Sequence, residues 1–598
     1  MSHSLLAAQT AGGGAALDQV LLASALGGGL TVALLALVWA HRTGRTTVLR
    51  RVGTALGRPN GVPDWVALPT VLATLSLLTA LVGMYWDISL HIGRGRDPGP
   101  LANPAHYPIL FGLFGIFAAG VLGIAMPLDG PAGSASVRLR EGWNAPVGAL
   151  LLAGAGGYAL IGFPLDDIWH RLFGQDVTLW GPTHLMLIGG AGLSLIGILV
   201  LEQEARGATE GALQGAQRVA TMVRRSFATG GMLIGLSVFQ GEFDFGVPQF
   251  RLVEQPALIA AAAGVTLVAA RLWSGRGAAL ASVAFFLVVR GGVSLIVDGF
   301  GEPVPRMPLY LGAAVVVELV AIFLARRPLV AGAVAGLLIG TVGTATEHLW
   351  SRAIMVLPWN SDILLEGYTG SAVVGVAAGL TGALLALGLR GELPAPRVAR
   401  PLLVTSLVAI AAVIGNGLIA TVPRNAVATV SFGPVVDGKA VVTTRLDAAV
   451  DDPAWIQITA WQGDVPDGLR VTPMDHQTDG SWVSEAPVPV TGSWKTLLRL
   501  HDGRTLAALP IYMAADPEIG AQELPAVDGP RKLIAENRLL QRERKLDVPG
   551  WLWGASCMVV LLCTLVLISA LSWGVGRVSR ARARVASLRA ADSALADA

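Results

Sequence analysis

Apolar runs long enough to cross a bilayer recur from residue 19 to residue 573, and no other feature constrains the fold as strongly. Lipid offers the backbone no hydrogen-bond partner, so such runs must become helices that satisfy their own N–H and C=O groups. We place thirteen spans near 19–41, 66–90, 107–127, 145–166, 183–202, 227–246, 256–273, 278–298, 308–325, 328–349, 370–389, 402–422 and 550–573. Only 14% of residues are charged, against about 25% in soluble domains. The fold class expected is an all-α polytopic membrane protein with one β-sandwich outside the membrane.

Arginine placement orients the spans. The first run is followed by His41, Arg42, Arg45, Arg50 and Arg51 and has no basic flank before it, which reads as an N-terminus-out anchor and not a cleavable signal peptide. The inner connections then carry Arg138 and Arg140, Arg206 to Arg225, Arg276, Arg326 and Arg327, and Arg390 to Arg400, with a basic C-terminal tail in the cytoplasm. The expected address is the plasma membrane, and the bilayer is the expected partner. Nothing suggests nucleic acid. Cys557 and Cys563 are six residues apart and do not share a helical face, so no disulfide or thiolate site is expected between them.

Residues 423–527 differ in kind. Segments such as AVATVSFGPVVDGKAVVTTRL alternate apolar and polar residues between Gly, Asp and Pro turns, the pattern of a small antiparallel sandwich. The expected division is therefore a twelve-helix membrane domain (1–422), an extracytoplasmic β-domain (423–527), an amphipathic linker with the last helix (528–577), and a basic tail (578–598) that is surface-bound or disordered.

The chemistry gathers in a repeated hairpin. One copy reads YWDISLHIGRGRDPGPLANPAHY and the next PLDDIWHRLFGQDVTLWGPTHLM. They share Asp87 and Asp166, then His91 and His170 four residues on, then Asp97 and Asp176, then His106 and His184 within Pro-x-His at the start of the next helix. Residues i and i+4 stack on one helical face, and the third group on the adjoining helix can reach the same point. Two imidazoles and one carboxylate suit copper, zinc or iron. Asp167 competes with Asp166 as ligand, and Asp97 and Asp176 are candidates for orienting a ring N–H.

Later hairpins keep the outline and lose the ligands. Glu242 and Asp244, and Glu347 with His348, are weaker polar candidates for a substrate or ion path. Arg290 lies roughly 12 Å inside Asp298 at 1.5 Å per residue, and Glu318 lies at similar depth on the neighbouring span, so an Arg290–Glu318 ion pair is expected. In the β-domain, Met474, His476, His501 and Met513 could offer a copper-acquisition site, although a blue-copper centre needs a cysteine that this domain lacks.

At the repeat the chain resembles the C subunit of the copper membrane monooxygenases, which oxidise methane, ammonia or short alkanes. The residues carrying the resemblance are Asp166, Trp169-His170, Asp176 and Pro182-Thr183-His184, with thirteen residues between the histidines; the first hairpin has fourteen, and Leu90 replaces the Trp. The 423–527 region, through its GSW motifs, is similar to YtkA- and FixH-like extracytoplasmic modules. These resemblances imply copper as cofactor, an oxidoreductase role, and other membrane subunits or an extracytoplasmic copper chaperone as partners. Copper acquisition, transport or delivery, and a structural role within a larger membrane oxidase complex, are the competing expectations; ligand type alone admits zinc and iron as well.

Overall fold

The structure is a computed structural model that describes residues 16–95, 99–128, 132–174, 178–208, 215–423, 426–447, 450, 453–463, 465–541, 544–545 and 547–596. Helices dominate it. In chain order they are α1 (Leu17–Arg42), α2 (Val48–Gly57), α3 (Asp64–Gly93), α4 (His106–Ala125), α5 (Val147–Phe173), α6 (Pro182–Ala208), α7 (Gly215–Ser237), α8 (Gly241–Asp244), α9 (Glu254–Ser274), α10 (Ala278–Gly299), α11 (Leu311–Leu324), α12 (Pro328–Leu338), α13 (Thr344–Ile354), α14 (Ser361–Arg390) and α15 (Pro396–Leu418). After the β-region come α16 (Glu536–Leu540) and α17 (Gly550–Ala596).

Among the described residues, eleven helices are long and apolar enough to cross a membrane, counting α12 and α13 as one helix through the π-turn at Ile339–Gly343. The two other expected spans are also helical but differ in character. The α7 helix carries Arg224 and Arg225. The α11 helix has 14 residues and rises only about 21 Å, short of the roughly 30 Å hydrocarbon core.

Small residues set how closely these helices approach. A Cβ added at Gly332, Gly336 or Gly340 would fall 2.5, 2.0 or 2.2 Å from a carbonyl oxygen of α14. Glycine at every fourth position thus lets two backbones touch, as in membrane helix pairs generally. Several buried charges inside the bundle are paired, Glu202 with Arg224 among them. Here the expected Arg290–Glu318 pair is corrected: Arg290 donates to Asp244 at 2.8 Å, and Glu318 forms an ion pair with Arg271, Nε to Oε2 at 2.6 Å. Depth was matched, but facing was not. Arg290 turns toward α8 and lies over the Tyr85 ring at 3.7 Å.

The β-region contains β3 (Val427–Phe432), β5 (Val442–Leu446), β6 (Trp455–Trp461), β7 (Leu469–His476), β8 (Trp482–Ser484), β10 (Lys495–Asp502), β11 (Thr505–Met513), β12 (Gly529–Lys532) and β13 (Ile534–Ala535). The intervening β4 (Lys439–Ala440) and β9 (Val488–Pro489) pair with each other, as do β1 (Val137–Arg140) and β2 (Trp143–Ala145) in the membrane domain. The nine strands form one antiparallel ladder in the order β12-β3-β5-β8-β7-β6-β10-β11-β13. Its two edge strands are separated in sequence by Leu533 alone, so the ladder is nearly closed and barrel-like instead of dividing into two separate sheets. Val430, Ile458, Leu498, Leu509 and Ile511 fill its interior.

Two boundaries move. Residues 529–535, expected within an amphipathic linker, are strands because β3 and β11 offer unpaired edges to them. The tail expected to be surface-bound or disordered continues α17 as helix to Ala596. Ala, Leu and Arg are strong helix formers, and Arg577 anchors the segment by donating to the carbonyls of Ala135 and Ser136 at 2.7 and 2.8 Å.

Candidate metal centre

Both hairpins bring their three polar residues together. Asp166 and His170 lie one turn apart near the end of α5, and His184 stands in the first turn of α6. His170 Nε2 is 3.7 Å from Asp166 Oδ2, and His184 Nε2 is 3.3 Å from Asp166 Oδ1. The three donor atoms all lie within 4.8 Å of one another. The first hairpin repeats the carboxylate distances, with His91 Nε2 3.7 Å from Asp87 Oδ2 and His106 Nε2 3.3 Å from Asp87 Oδ1, but among the described residues only the second hairpin brings all three donors within 4.8 Å of one another. Donors that share one ion at about 2 Å each lie up to about 4 Å apart, so the carboxylate–imidazole spacings suit coordination with little movement.

The far side of each ring tests the fit more sharply. His184 Nδ1 faces the Thr178 carbonyl at 2.6 Å, His106 Nδ1 faces the Pro100 carbonyl at 3.3 Å, and His91 Nδ1 faces the Gly95 carbonyl at 3.2 Å. A carbonyl only accepts, so the proton of each neutral ring sits on Nδ1 and the Nε2 lone pair points at the carboxylate. Metal-bound histidines are oriented in this way. An Asp–imidazolium pair would satisfy the same contacts, and metal content separates the two readings. In both hairpins the carbonyl belongs to the residue six before the second histidine. That offset arises because the connecting loop turns back over the start of the next helix.

Polar neighbours hold the carboxylates. Thr183 Oγ1 donates to Asp166 Oδ1 at 2.6 Å, and Asn103 Nδ2 donates to Asp87 Oδ1 at 2.6 Å. Both lie beside Pro-x-His, Thr183 as its middle residue and Asn103 just before it; a search confined to His and acidic residues passes over them. Asp167 does not compete for the centre. Its carboxylate accepts from Arg171 Nε at 2.8 Å instead. Asp97 and Asp176 lie outside the described residues.

Glu242 acts on the second centre through the loop. It is buried, and one oxygen accepts from Thr178 Oγ1 at 2.6 Å and from Leu179 N at 2.9 Å while the other accepts from Gln249 N at 3.0 Å. Thr178 is the residue whose carbonyl holds His184. Glu242 is therefore a positioning residue, one link removed from the imidazole. Asp244 belongs to a separate buried network with Gln240 and Arg290.

The remaining candidates are used elsewhere. Glu347 receives the backbone N–H groups of Leu309 and Tyr310, which caps the approach to α11, and His348 lies near Trp359 with ring centroids 6.3 Å apart. They form no third centre. In the β-domain, Met474 and Met513 belong to different apolar clusters. His476 stacks on Trp482, and His501 Nε2 accepts the Leu252 N–H at 3.1 Å. These four residues do not converge.

The β-domain roofs the first centre and its linker roofs the second. Gln462, with φ of 58°, donates through its backbone N to the Ile92 carbonyl and through Nε2 to the His91 carbonyl, each at 3.3 Å. A left-handed non-glycine residue is costly and persists where its surroundings demand it. Lys545 reaches the end of α5, donating to the carbonyls of Phe173 and Arg171. Below the roof both centres line one cavity of about 820 Å³. No family model, curated protein or solved structure matches this chain.

Proposed function

We propose that this chain is a multi-pass plasma-membrane protein that holds a metal ion, copper by preference, at Asp166, His170 and His184. A second ion sits at Asp87, His91 and His106. In this reading the thirteen helical segments begin with the N-terminus outside and end with the C-terminus in the cytoplasm, and the β-domain is an extracytoplasmic module of the YtkA- and FixH-like kind. Its role is that of a copper membrane monooxygenase C subunit, an oxidoreductase acting at the outer face with further membrane subunits or a copper chaperone as partners. Copper is preferred on the resemblance of the repeated motif; the ligand types alone suit zinc or iron too.

The observation that carries the reading is the shared orientation of the rings. Three of the four imidazoles place Nδ1 against a backbone carbonyl and Nε2 toward a carboxylate. Copper bound there would supply one-electron redox chemistry. The protein's own groups fix the ring tautomers, hold the carboxylates, and exclude bulk water beneath the β-domain. Redox use of the metal is favoured over its conduction across the membrane, because the cavity below the centres is lined mainly by Leu, Ile, Val, Ala and Phe.

Elemental analysis of the purified protein tests this directly. The parent chain should retain copper through gel filtration. His184→Ala and His170→Ala should each remove the metal of the second hairpin and spare the first, whereas His91→Ala should do the reverse. Metal content unchanged in all three variants sinks the assignment.

A further inference from the structure

The cavity beneath the two centres is a deep cleft, and its walls are periodic. On α3 it is lined at Thr70, Thr74, Leu77, Leu81, Met84, Ile88 and His91, a spacing of three or four residues that keeps one helical stripe facing inward. From Thr70 to His91 that stripe rises about 32 Å, as much as the whole hydrocarbon core of a bilayer. On α7 the stripe runs from Arg224, which is paired with Glu202 at 2.8 Å, to Gly235, and Val238 and Glu242 continue it beyond the helix to the level of the second centre. The cleft thus has polar groups at its two ends and an apolar body between them.

One wall is a side door. The outer half of α1, from Val20 to Thr31, lines the cleft, yet α1 as a whole is little buried, with Leu34 and His41 as its buried residues. Leu26 and Leu30 on α1, Leu75 on α3 and Phe111 on α4 line the same cleft and remain exposed at the surface. The outer end of α1 is fixed to the first centre's loop, where Gln19 Oε1 accepts the Leu101 N–H at 3.1 Å. Leu101 adjoins Pro100, whose carbonyl holds His106.

We propose that the cleft takes one long-chain neutral lipid from the bilayer, lying lengthwise, with a small oxygen-bearing head between the two Asp–His–His groups. The volume falls within the roughly 300–1,000 Å³ of ligand sites and far exceeds what a gas molecule would fill. The depth matches a membrane-normal chain, and the exposed rim faces lipid. The Gln462 and Leu540 side of the roof limits the head to a small group. A head bearing a hydroxyl group matches the outer end, whose carboxylates and imidazole Nε2 lone pairs accept its proton in a hydrogen bond. As a substrate assignment this rests on the metal reading above; lipid occupancy itself does not.

Two adjacent glycines on α1 provide the test. A Cβ at Gly27 or at Gly28 meets nothing within 4 Å, but Gly27 lines the cleft and Gly28 does not. Gly27→Trp should fill the cleft at mid-depth while leaving both centres intact. Lipid retained per chain after repeated delipidation is measured by mass spectrometry, and copper in the same samples by elemental analysis. The expected result is about one lipid per chain in the parent and in Gly28→Trp, and at least fivefold less in Gly27→Trp, with copper unchanged in all three. Equal lipid retention by the two variants overturns the proposal whatever the copper content, whereas copper absent from the parent overturns the metal reading alone. A diazirine-bearing long-chain alcohol gives a check that needs no variant. Its adducts should concentrate on the α3 and α7 stripes, and labelling no denser there than at the exposed Leu319 and Phe323 of α11 refutes lipid capture.

Discussion

Arg290 shows what a single buried charge requires. A guanidinium inside the bundle must find a carboxylate, and in this fold it finds Asp244 at 2.8 Å with Tyr85 stacked beneath it. Removing one partner of such a pair leaves the other uncompensated, at a cost of about 3–5 kcal/mol. Asp244→Asn and Arg290→Met should therefore each lower the unfolding temperature of the detergent-solubilised protein strongly, and their effects should be non-additive. Glu318→Gln combined with Arg290→Met should instead add within about 0.5 kcal/mol, as independent sites do. A double-mutant cycle measures both; coupling between Glu318 and Arg290 would contradict the pairing described. The need for a partner was legible from depth alone. Its identity was not, because rotation about the helix axis and the position of the short α8 turn decide which acid Arg290 meets.

At the scale of elements, the seat of β10 on the start of α9 is the contact most exposed to pH. His501 is fully buried, accepts the Leu252 N–H through Nε2, and faces Arg251, Arg499, Glu366 and, through Arg499, Glu536. Burial foremost, with both arginines adding, pushes its pKa down from 6.5 to about 3. The unfolded chain then binds a proton that the folded chain refuses between those values. Stability therefore falls as pH drops below 6.5, by up to about 1.4 kcal/mol per pH unit, and the loss is complete below about pH 3. Glu536 acts in the opposite sense, since burial raises its pKa and folding is favoured where it is protonated. The His501 contribution is isolated by comparison with His501→Gln, whose unfolding temperature should decline less between pH 6.5 and pH 4. Parallel declines would place the acid sensitivity elsewhere. Sequence alternation revealed strands near β10, but their burial against the membrane helices depends on contacts between distant segments: Arg251 donates to the Gly503 carbonyl, Arg499 to the carbonyls of Gly246 and Pro248, and Arg504 to Asn416 Oδ1.

Across the whole molecule, the nearly closed sheet and the linker after it sit over both Asp–His–His groups, so one side of the bundle carries the chemistry. If that side is extracytoplasmic, a membrane-impermeant maleimide added to intact cells should label Thr478→Cys in the β-domain and leave Arg276→Cys in the loop after α9 unlabelled. Both substitutions are made with Cys557 and Cys563 replaced by alanine. Labelling of Arg276→Cys alone reverses the orientation.

Helix content and the rough positions of the spans followed from the sequence alone, because bilayer-length apolar runs permit one backbone solution. The pairing of each Asp with two histidines also followed, since i, i+4 spacing and a short hairpin loop bring those side chains to one point whatever surrounds them. Tertiary structure decided what depends on groups distant in the chain. It set Asp166 and not Asp167 at the second centre, because Arg171 claims Asp167. It turned residues 529–535 into strands by offering them open edges, and it gave Arg290 and Glu318 different partners. It also joined the two centres in a single cleft, because the packing of α1, α3, α6 and α7 around a common space is a property of no one segment.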